Sequence, residues 1–331
     1  MEYRFLGRTG VRVSMLGLGT MAFGGDADAA TSGALYARAR DAGINLFDCA
    51  DVYAGGESEH VLGRLIAAHR DDVVIASKAY FPTGDKGPND RGSSRYHLVR
   101  AVEASLRRLK TDRIDLYFLH RFDDETDLAE SLRALDDLVR QGKILYPALS
   151  NFAAWQAQRA VDLCERHGWA RPVCVQPMYN LAKRQAEVEI LPQAKANDLA
   201  VMPYSPLGGG LLTGKYGRDR QPQSGRLVEN TMYQTRYGDE WVMDVADDFA
   251  ALARARGYDP VALAVAWVGS HPAVTAPIIG ARSVEQLEGS LRSVDIPMTP
   301  ELRAEIAALS PEPPPATDRN EERTPHNYGL R

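Results

Sequence analysis

Cysteine is scarce in this chain: three among 331 residues, Cys49, Cys164 and Cys174. Three thiols cannot all pair and none has CxxC spacing, so neither a disulfide framework nor a cysteine metal centre is expected. Long apolar runs are missing too. No stretch approaches the roughly 18–20 residues needed to cross a bilayer, and the opening MEYRFLGRTGVRVSML scatters charge where a signal peptide is apolar. Positive charge is in deficit, with 39 Lys and Arg against 44 Asp and Glu and a net charge of −5. No field of that sign gathers nucleic acid or an anionic membrane. Low-complexity bias is also absent: 44% of residues are hydrophobic and 25% charged, the proportions of a globular protein. These absences point to a reduced, cytoplasmic protein with no metal and no membrane or nucleic-acid partner.

What the chain does have is alternation. Short apolar runs at 13–20 (VSMLGLGT), 44–50 (INLFDCA), 72–78 (DVVIASK), 113–120 (RIDLYFLH), 144–151 (ILYPALSN), 172–177 (PVCVQP), 199–205 (LAVMPYS) and 275–281 (TAPIIGA) are separated by helical patterns. Each run is apolar nearly throughout, as parallel strands covered on both faces must be. Between them, spacings of three and four recur, as at Leu98, Val102, Leu106 and Leu109. Eight strand–helix units joined by right-handed crossovers close into an α/β fold, the (β/α)8 TIM barrel. The first residues, with Thr9-Gly10 at a turn, read as a β-hairpin plugging the barrel floor. Residues 207–240, after the seventh strand, are too long for an ordinary connection and read as a functional loop. A single domain over 1–310 is expected, followed by a mobile or surface-draped tail, 311–331, too rich in Pro and charge to build a core.

Two phosphate-loop look-alikes are set aside. Gly17-Leu-Gly19-Thr-Met-Ala22 fits a dinucleotide fingerprint, but that loop needs a helix opening within the turn, and here the helix signal starts only near Asp26 or Asp28. Gly209 to Tyr216 is one residue short of a Walker A loop and has Tyr216 where the Mg²⁺-binding hydroxyl belongs.

In such a barrel, chemistry sits at the C-terminal ends of strands. Those ends carry Thr20, Asp48, Lys78, His120, Ser150-Asn151, Gln176, Tyr204-Ser205 and Gly280-Arg282, and Tyr53 follows Asp48 by five residues. Singly, an Asp caps helices, a Lys is a solvated charge, and a His or Tyr is packed at the rim. At consecutive strand ends they make one polar constellation. Free tyrosine titrates near pH ~10; a neighbouring ammonium lowers that value, and a carboxylate holds the ammonium in place. Tyr53, Lys78 and Asp48 thus suit proton transfer at an alcohol or carbonyl oxygen, which His120 can orient.

The residues that carry this constellation also carry a resemblance. LGRTGVRVSMLGLGTM, GINLFDCADVY, VVIASK, IDLYFLH, GKILYPALSNF, VCVQPMYN, YSPLGGGLLTGKY and IIGARSVEQLEGS occur in this order over roughly residues 3–292. The chain resembles the aldo-keto reductases, in the branch that includes potassium-channel β-subunits and bacterial sugar-aldehyde reductases. The resemblance implies a catalytic tetrad of Asp48, Tyr53, Lys78 and His120 and an NADP(H) cofactor stretched over the rim. Thr20, Met21 and Asp48 would line the nicotinamide; Ser150, Asn151 and Gln176 would bond its carboxamide; Tyr204 would stack on it. Ser205, Pro206, Leu207, Gly208 and Gly210 would pass the pyrophosphate, and Lys215, Gly280, Arg282 and Gln286 would hold the adenosine end.

Gly289-Ser290 departs from the family's Glu-Asn and puts the adenine contacts in doubt. Met21, Phe23, Tyr80, Phe81, Phe122 and Tyr233 are candidates for an aromatic substrate mouth, and Arg91, Arg95 and Arg121 for a phosphate on the substrate. The expected function is NADPH-dependent reduction of small aldehydes or ketones, sugar-derived ones among them, with Tyr53 as general acid. The alternatives are a sugar or alcohol dehydrogenase working oxidatively, or a non-catalytic NADP(H)-sensing subunit. The last is disfavoured because the channel-associated branch carries Asn where this chain has His120. Oligomeric state is left open.

Overall fold

The computed structural model describes residues 1–84 and 87–326. β1 (Tyr3–Phe5) and β2 (Arg12–Ser14) form an antiparallel hairpin. β3 (Gly17–Gly19), β4 (Leu46–Asp48), β5 (Val74–Ala79), β6 (Ile114–Leu119), β7 (Ile144–Ser150), β8 (Cys174–Gln176), β9 (Ala200–Val201) and β10 (Ile278–Ile279) form one parallel sheet in the order β10-β3-β4-β5-β6-β7-β8-β9. All eight expected strands are present. Backbone bonds from Ala276 N to Val201 O and from Ile278 N to Pro203 O join the two ends, so the sheet curls shut into the (β/α)8 barrel.

Strand residues alternate between two cores. Leu46, Ala76, Leu116, Phe118, Ala148, Cys174, Ala200, Met202, Ala276 and Ile278 fill the lumen, together with Leu6 and Val13 of the hairpin. The intervening residues, such as Phe47, Ile75 and Tyr117, pack outward under the helices. This two-residue period puts Asp48, Lys78 and Gln176 on the lumenal face, each two positions past a lumenal apolar residue. The hairpin closes the floor as expected. Leu6 is fully buried there, and an added Cβ on Gly7 would lie within 3 Å of backbone atoms of Val173, Asp198 and Ala200.

Both look-alike motifs are excluded by geometry. The helix after β3 runs Ala29–Asp41 behind an Asp28 N-cap, too far from Gly17–Ala22 for its amides to meet a phosphate there. The 208–213 segment is a kinked 3-10 turn, and Tyr216 beyond it is buried. The long loop holds helices Arg226–Glu229 and Thr231–Arg236, sealed by buried Leu227, Tyr233 and Tyr237. Residues 311–326 are mostly exposed, with one 3-10 turn at Asn320–Arg323; the rest of the expected tail, 327–331, lies outside the described residues. Among the described residues no helix is long and apolar enough to cross a membrane.

Helices Glu57–Ile66 and Arg95–Leu109 flank the Tyr53 loop and meet at Gly63, where a Cβ would lie 2.5 Å from the Leu109 carbonyl oxygen. Gly63→Ala is therefore expected to destabilise the barrel by about 1–3 kcal/mol, the usual cost of overpacking against backbone that cannot move aside. Chemical denaturation reads this as a lowered midpoint; an unchanged midpoint would contradict so close a contact.

Candidate active site

Lys78 is the centre of the rim. Its side chain is fully buried, and its ammonium donates to Asp48 Oδ2 and to the Cys49 carbonyl, both at 2.7 Å. Burial opposes that charge, but Asp48 and then Tyr53 outweigh it, and the Lys78 pKa stands above its ordinary value. Both oxygens of Asp48 are engaged, since Gln176 Nε2 donates to the second at 2.9 Å. The backbone of Asp48 is tied to β3 by Thr20, whose amide and hydroxyl both donate to the Asp48 carbonyl.

Tyr53 opens a turn in which Ala54, Gly55 and Gly56 all have positive φ, at 49°, 64° and 98°. This left-handed run reverses the chain and swings the Tyr53 ring back over the lumen, with the Lys78 ammonium 5.3 Å from its centroid. Burial pushes the Tyr53 phenol up to about 12, against the downward pull of Lys78. The lysine's influence has the expected sign, but burial exceeds it. Tyr53 is therefore fully protonated at neutral pH. His120 lies edge-on to it with ring centroids 6.0 Å apart, and edge-on to Phe81 at 5.1 Å. Burial, assisted by Lys78, lowers His120 to about 3, and its Nδ1 has no partner among the described residues. The four residues expected to form a tetrad thus converge, offering a phenol and a neutral imidazole beside a buried cation.

Beside them runs a polar shelf. Asn151, at φ 56°, donates to the His120 carbonyl at 2.8 Å and to Ser150 Oγ, and accepts from the Tyr204 hydroxyl at 2.7 Å. Ser150 donates to the Gln176 carbonyl. Ser205 is also left-handed, at φ 57°, and its carbonyl accepts from Asn180. Pro206 is buried and Leu207 half-buried, and Gly208, Gly209 and Gly210 continue with φ of 60°, 70° and 104°. A Cβ at Gly209 would strike the Tyr233 ring at 2.6 Å, so the loop lies flat on that ring.

Beyond the glycines stand Lys215 and Arg282. Burial and then the nearby Arg282 lower the Lys215 pKa, against an opposing pull from Glu229. Gly280 is exposed and open, while the Gln286 side chain folds back to accept from the Arg282 amide. An extended molecule with a polar amide at one end and phosphates at the other fits this succession of donors, bare backbone and cations.

The substrate mouth needs correction. Phe23 and Tyr233 are core residues, 1% and 6% exposed, and Tyr80 is nearly buried. Met21 and Phe81 are exposed at the rim, and Phe122 packs on Phe152 and on Trp155. Trp155, exposed at the start of the helix Ala154–His167, is joined to this group only through Phe122. Arg95 pairs with Asp137 and Arg121 with Asp124, so each already has a counter-charge. Gly289 packs on Val261 and Ser290 is buried, so both belong to the chain's own packing. A cavity of about 430 Å³ lies under the N-terminal segment, lined by Met1, Arg4 and Met15, and touches none of the strand-end residues.

The sequence also hid a buried support behind the site. Glu59 accepts from Ser77, the neighbour of Lys78, at 2.5 Å and from Arg108 at 2.6 Å. Arg108 in turn passes within 3.0 Å of where a Gly56 Cβ would stand, beneath the Tyr53 turn. Asp51 is buried beside them, and burial and then Glu59 push its carboxyl well above the usual range.

A family model described as "Aldo/keto reductase family" matches residues 15–311. The chain belongs to the aldo/keto reductase family. An uncharacterized oxidoreductase of Bacillus subtilis strain 168, YrpG, is 39% identical to this aldo/keto reductase over 95% of the chain and 97% of its own length. A probable voltage-gated potassium channel subunit beta of Oryza sativa subsp. japonica is 36% identical over 96% and 99%. A putative one of Schizosaccharomyces pombe is 33% identical over 92% of each chain. Family membership makes the chain an oxidoreductase.

His120 tests the electrostatics of the site directly. Its folded pKa lies below its unfolded value, so stability tied to it is complete above pH ~6.5 and is lost as pH falls toward about 3. The His120 ring is expected to remain neutral from pH 8 to about pH 5 in nitrogen-detected NMR. A midpoint near 6.5 would mean that the ring is solvated and uncoupled from Lys78.

Proposed function

We propose that this protein is an NADP(H)-dependent reductase of small aldehydes and ketones, sugar-derived ones among them. The observation that carries the reading is the protonated Tyr53 hydroxyl held over the lumen beside the buried Lys78 ammonium and the neutral His120. Bound across the rim, NADP(H) supplies the hydride. The chain's own residues do the rest. Asn151, Ser150 and Gln176 offer amide and hydroxyl groups to the carboxamide end, Tyr204 a ring face, and the Gly208–Gly210 backbone an unobstructed path. Lys215 and Arg282 supply the charge that a 2′-phosphate requires.

A substrate carbonyl entering between Phe81, Met21 and Trp155 meets His120 as an uncharged donor that orients its oxygen. Tyr53 then gives that oxygen a proton as hydride reaches the carbon. The phenolate left behind is stabilised by Lys78, whose own charge is balanced by Asp48. The same groups in reverse take a proton from an alcohol, so direction is set by concentrations. Three unpaired, buried cysteines accord with a cytoplasmic setting.

The potassium channel β-subunit relatives favour a second reading, an NADP(H)-holding regulatory subunit without turnover. The two readings separate in one assay, NADPH oxidation over a panel of aldehydes, ketones and sugar aldehydes, run in both directions. Tyr53→Phe is expected to lose about 10²–10⁴-fold in turnover, the usual contribution of a general acid, while binding NADP(H) as the parent does. Unchanged turnover removes Tyr53 as the acid, and no turnover in the parent favours the regulatory subunit. Arg282→Ala is expected to weaken NADP(H) by about 1.5–3 kcal/mol, the range for a hydrogen bond to a charged group, and NAD(H) far less. Equal losses for the two cofactors would show that Arg282 does not read the 2′-phosphate.

A further inference from the structure

We propose that Asp26 is a specificity-determining residue of the dinucleotide site: its carboxylate is a resident counter-anion on Arg282, which a 2′-phosphate must displace or share and a 2′-hydroxyl need not. The inference rests on the NADP(H) reading above. Asp26 Oδ2 lies 2.9 Å from Arg282 Nε, and both side chains are exposed. The pairing follows from barrel closure. Asp26 stands in the loop after β3 and Arg282 in the loop after β10, and β3 and β10 are neighbours in the sheet.

The Arg282 backbone is held from the other side, its amide donating to Gln286 Oε1. That fixes where the side chain starts, while Asp26 is the one carboxylate among the described residues in an ion pair with its guanidinium. Lys215, nearby, has no carboxylate within ion-pair distance among the described residues, although Glu229 and Arg226 act on it from farther off. Of the two cations expected at the phosphate end, Arg282 is thus the one with a carboxylate paired to it.

A guanidinium presents its donors as a planar fork, and the Asp26 carboxylate already lies against the Nε edge of that fork. A dianionic phosphate arriving at Arg282 either shares the fork with Asp26, two anions on one cation, or expels it. A neutral ribose hydroxyl meets no such repulsion and can donate to the carboxylate. Asp26 thus narrows the preference for NADP(H) over NAD(H) that Lys215 and Arg282 create.

The test is fluorescence titration of the full chain with NADP⁺ and with NAD⁺, which differ only in the 2′-phosphate, on the parent, Asp26→Asn, Arg282→Ala and the double variant. Asp26→Asn is expected to tighten NADP⁺ about three- to five-fold, the scale of one exposed ion pair, and to leave NAD⁺ unchanged or slightly weaker. The gain should vanish in the Arg282→Ala background. Unchanged NADP⁺ binding in Asp26→Asn overturns the proposal, and so does weaker binding, which would mean that Asp26 props Arg282 toward the phosphate. A parent that binds NADP⁺ no better than NAD⁺, with no change in either variant, removes the NADP(H) reading itself. The first failure is read on Asp26→Asn alone and the second on the parent.

Discussion

An ammonium group cannot stay charged inside a barrel unless the barrel supplies its counter-charge, and at Lys78 everything around it answers that demand. Asp48 reaches it because β4 and β5 pair in parallel, with Asp48 opposite Ala76 and Lys78 two residues on. The carboxylate turns its second oxygen to Gln176, 128 residues away, so a third strand is bound into the same charge balance. Deleting one partner of such a pair typically costs about 3–5 kcal/mol, because the other is left charged and alone. The cation also acts on both proton-bearing groups above it, adding to the burial that keeps the His120 imidazole neutral and easing deprotonation of the Tyr53 phenol against the pull of burial. One buried charge thus links the stability of the fold to the protonation state of the site.

The architecture was legible in the amino acids because parallel strands covered on both faces must be apolar throughout, and eight such runs leave few other closures. The tetrad was legible for the complementary reason. Asp48, Lys78 and His120 are polar residues ending apolar runs, and a barrel directs those ends to one rim. What could not be read was pairing across distance. Gln176 serves Asp48 as well as any ligand, yet nothing near Gln176 in the chain announces it. Phe23 and Tyr233 are aromatic residues in polar loops, as mouth residues would be, and only the packed loop shows them to be core. Glu59 stands in an ordinary helical pattern. Its inward turn toward Ser77 and Arg108 depends on how closely two helices approach at Gly63, a three-dimensional fact with no local signature.

The rim also holds backbone strain. Of six non-glycine residues in the left-handed region among those described, Ala54, Asn151 and Ser205 stand there. Each stands beside a group with a task, respectively the Tyr53 turn, the His120 carbonyl and the start of the glycine shelf. Such conformations cost on the order of 1–3 kcal/mol apiece and persist only where their surroundings over-determine them. Here the surroundings are a closed sheet and the helices packed on it, which hold the rim while the loops depart from regular structure.

The packed barrel interior has a kinetic consequence. With side chains filling the lumen from Leu6 and Val13 upward, nothing passes through the barrel, and whatever reacts at the rim arrives and departs across the same threshold. Where one molecule lies beneath another at such a rim, the two must queue. The inner one is admitted first and released last, and its exit waits on the outer one. The slowest step of a working cycle can then be a departure, so that a change in the loops around that threshold alters the pace of turnover with no atom of the reacting centre moved.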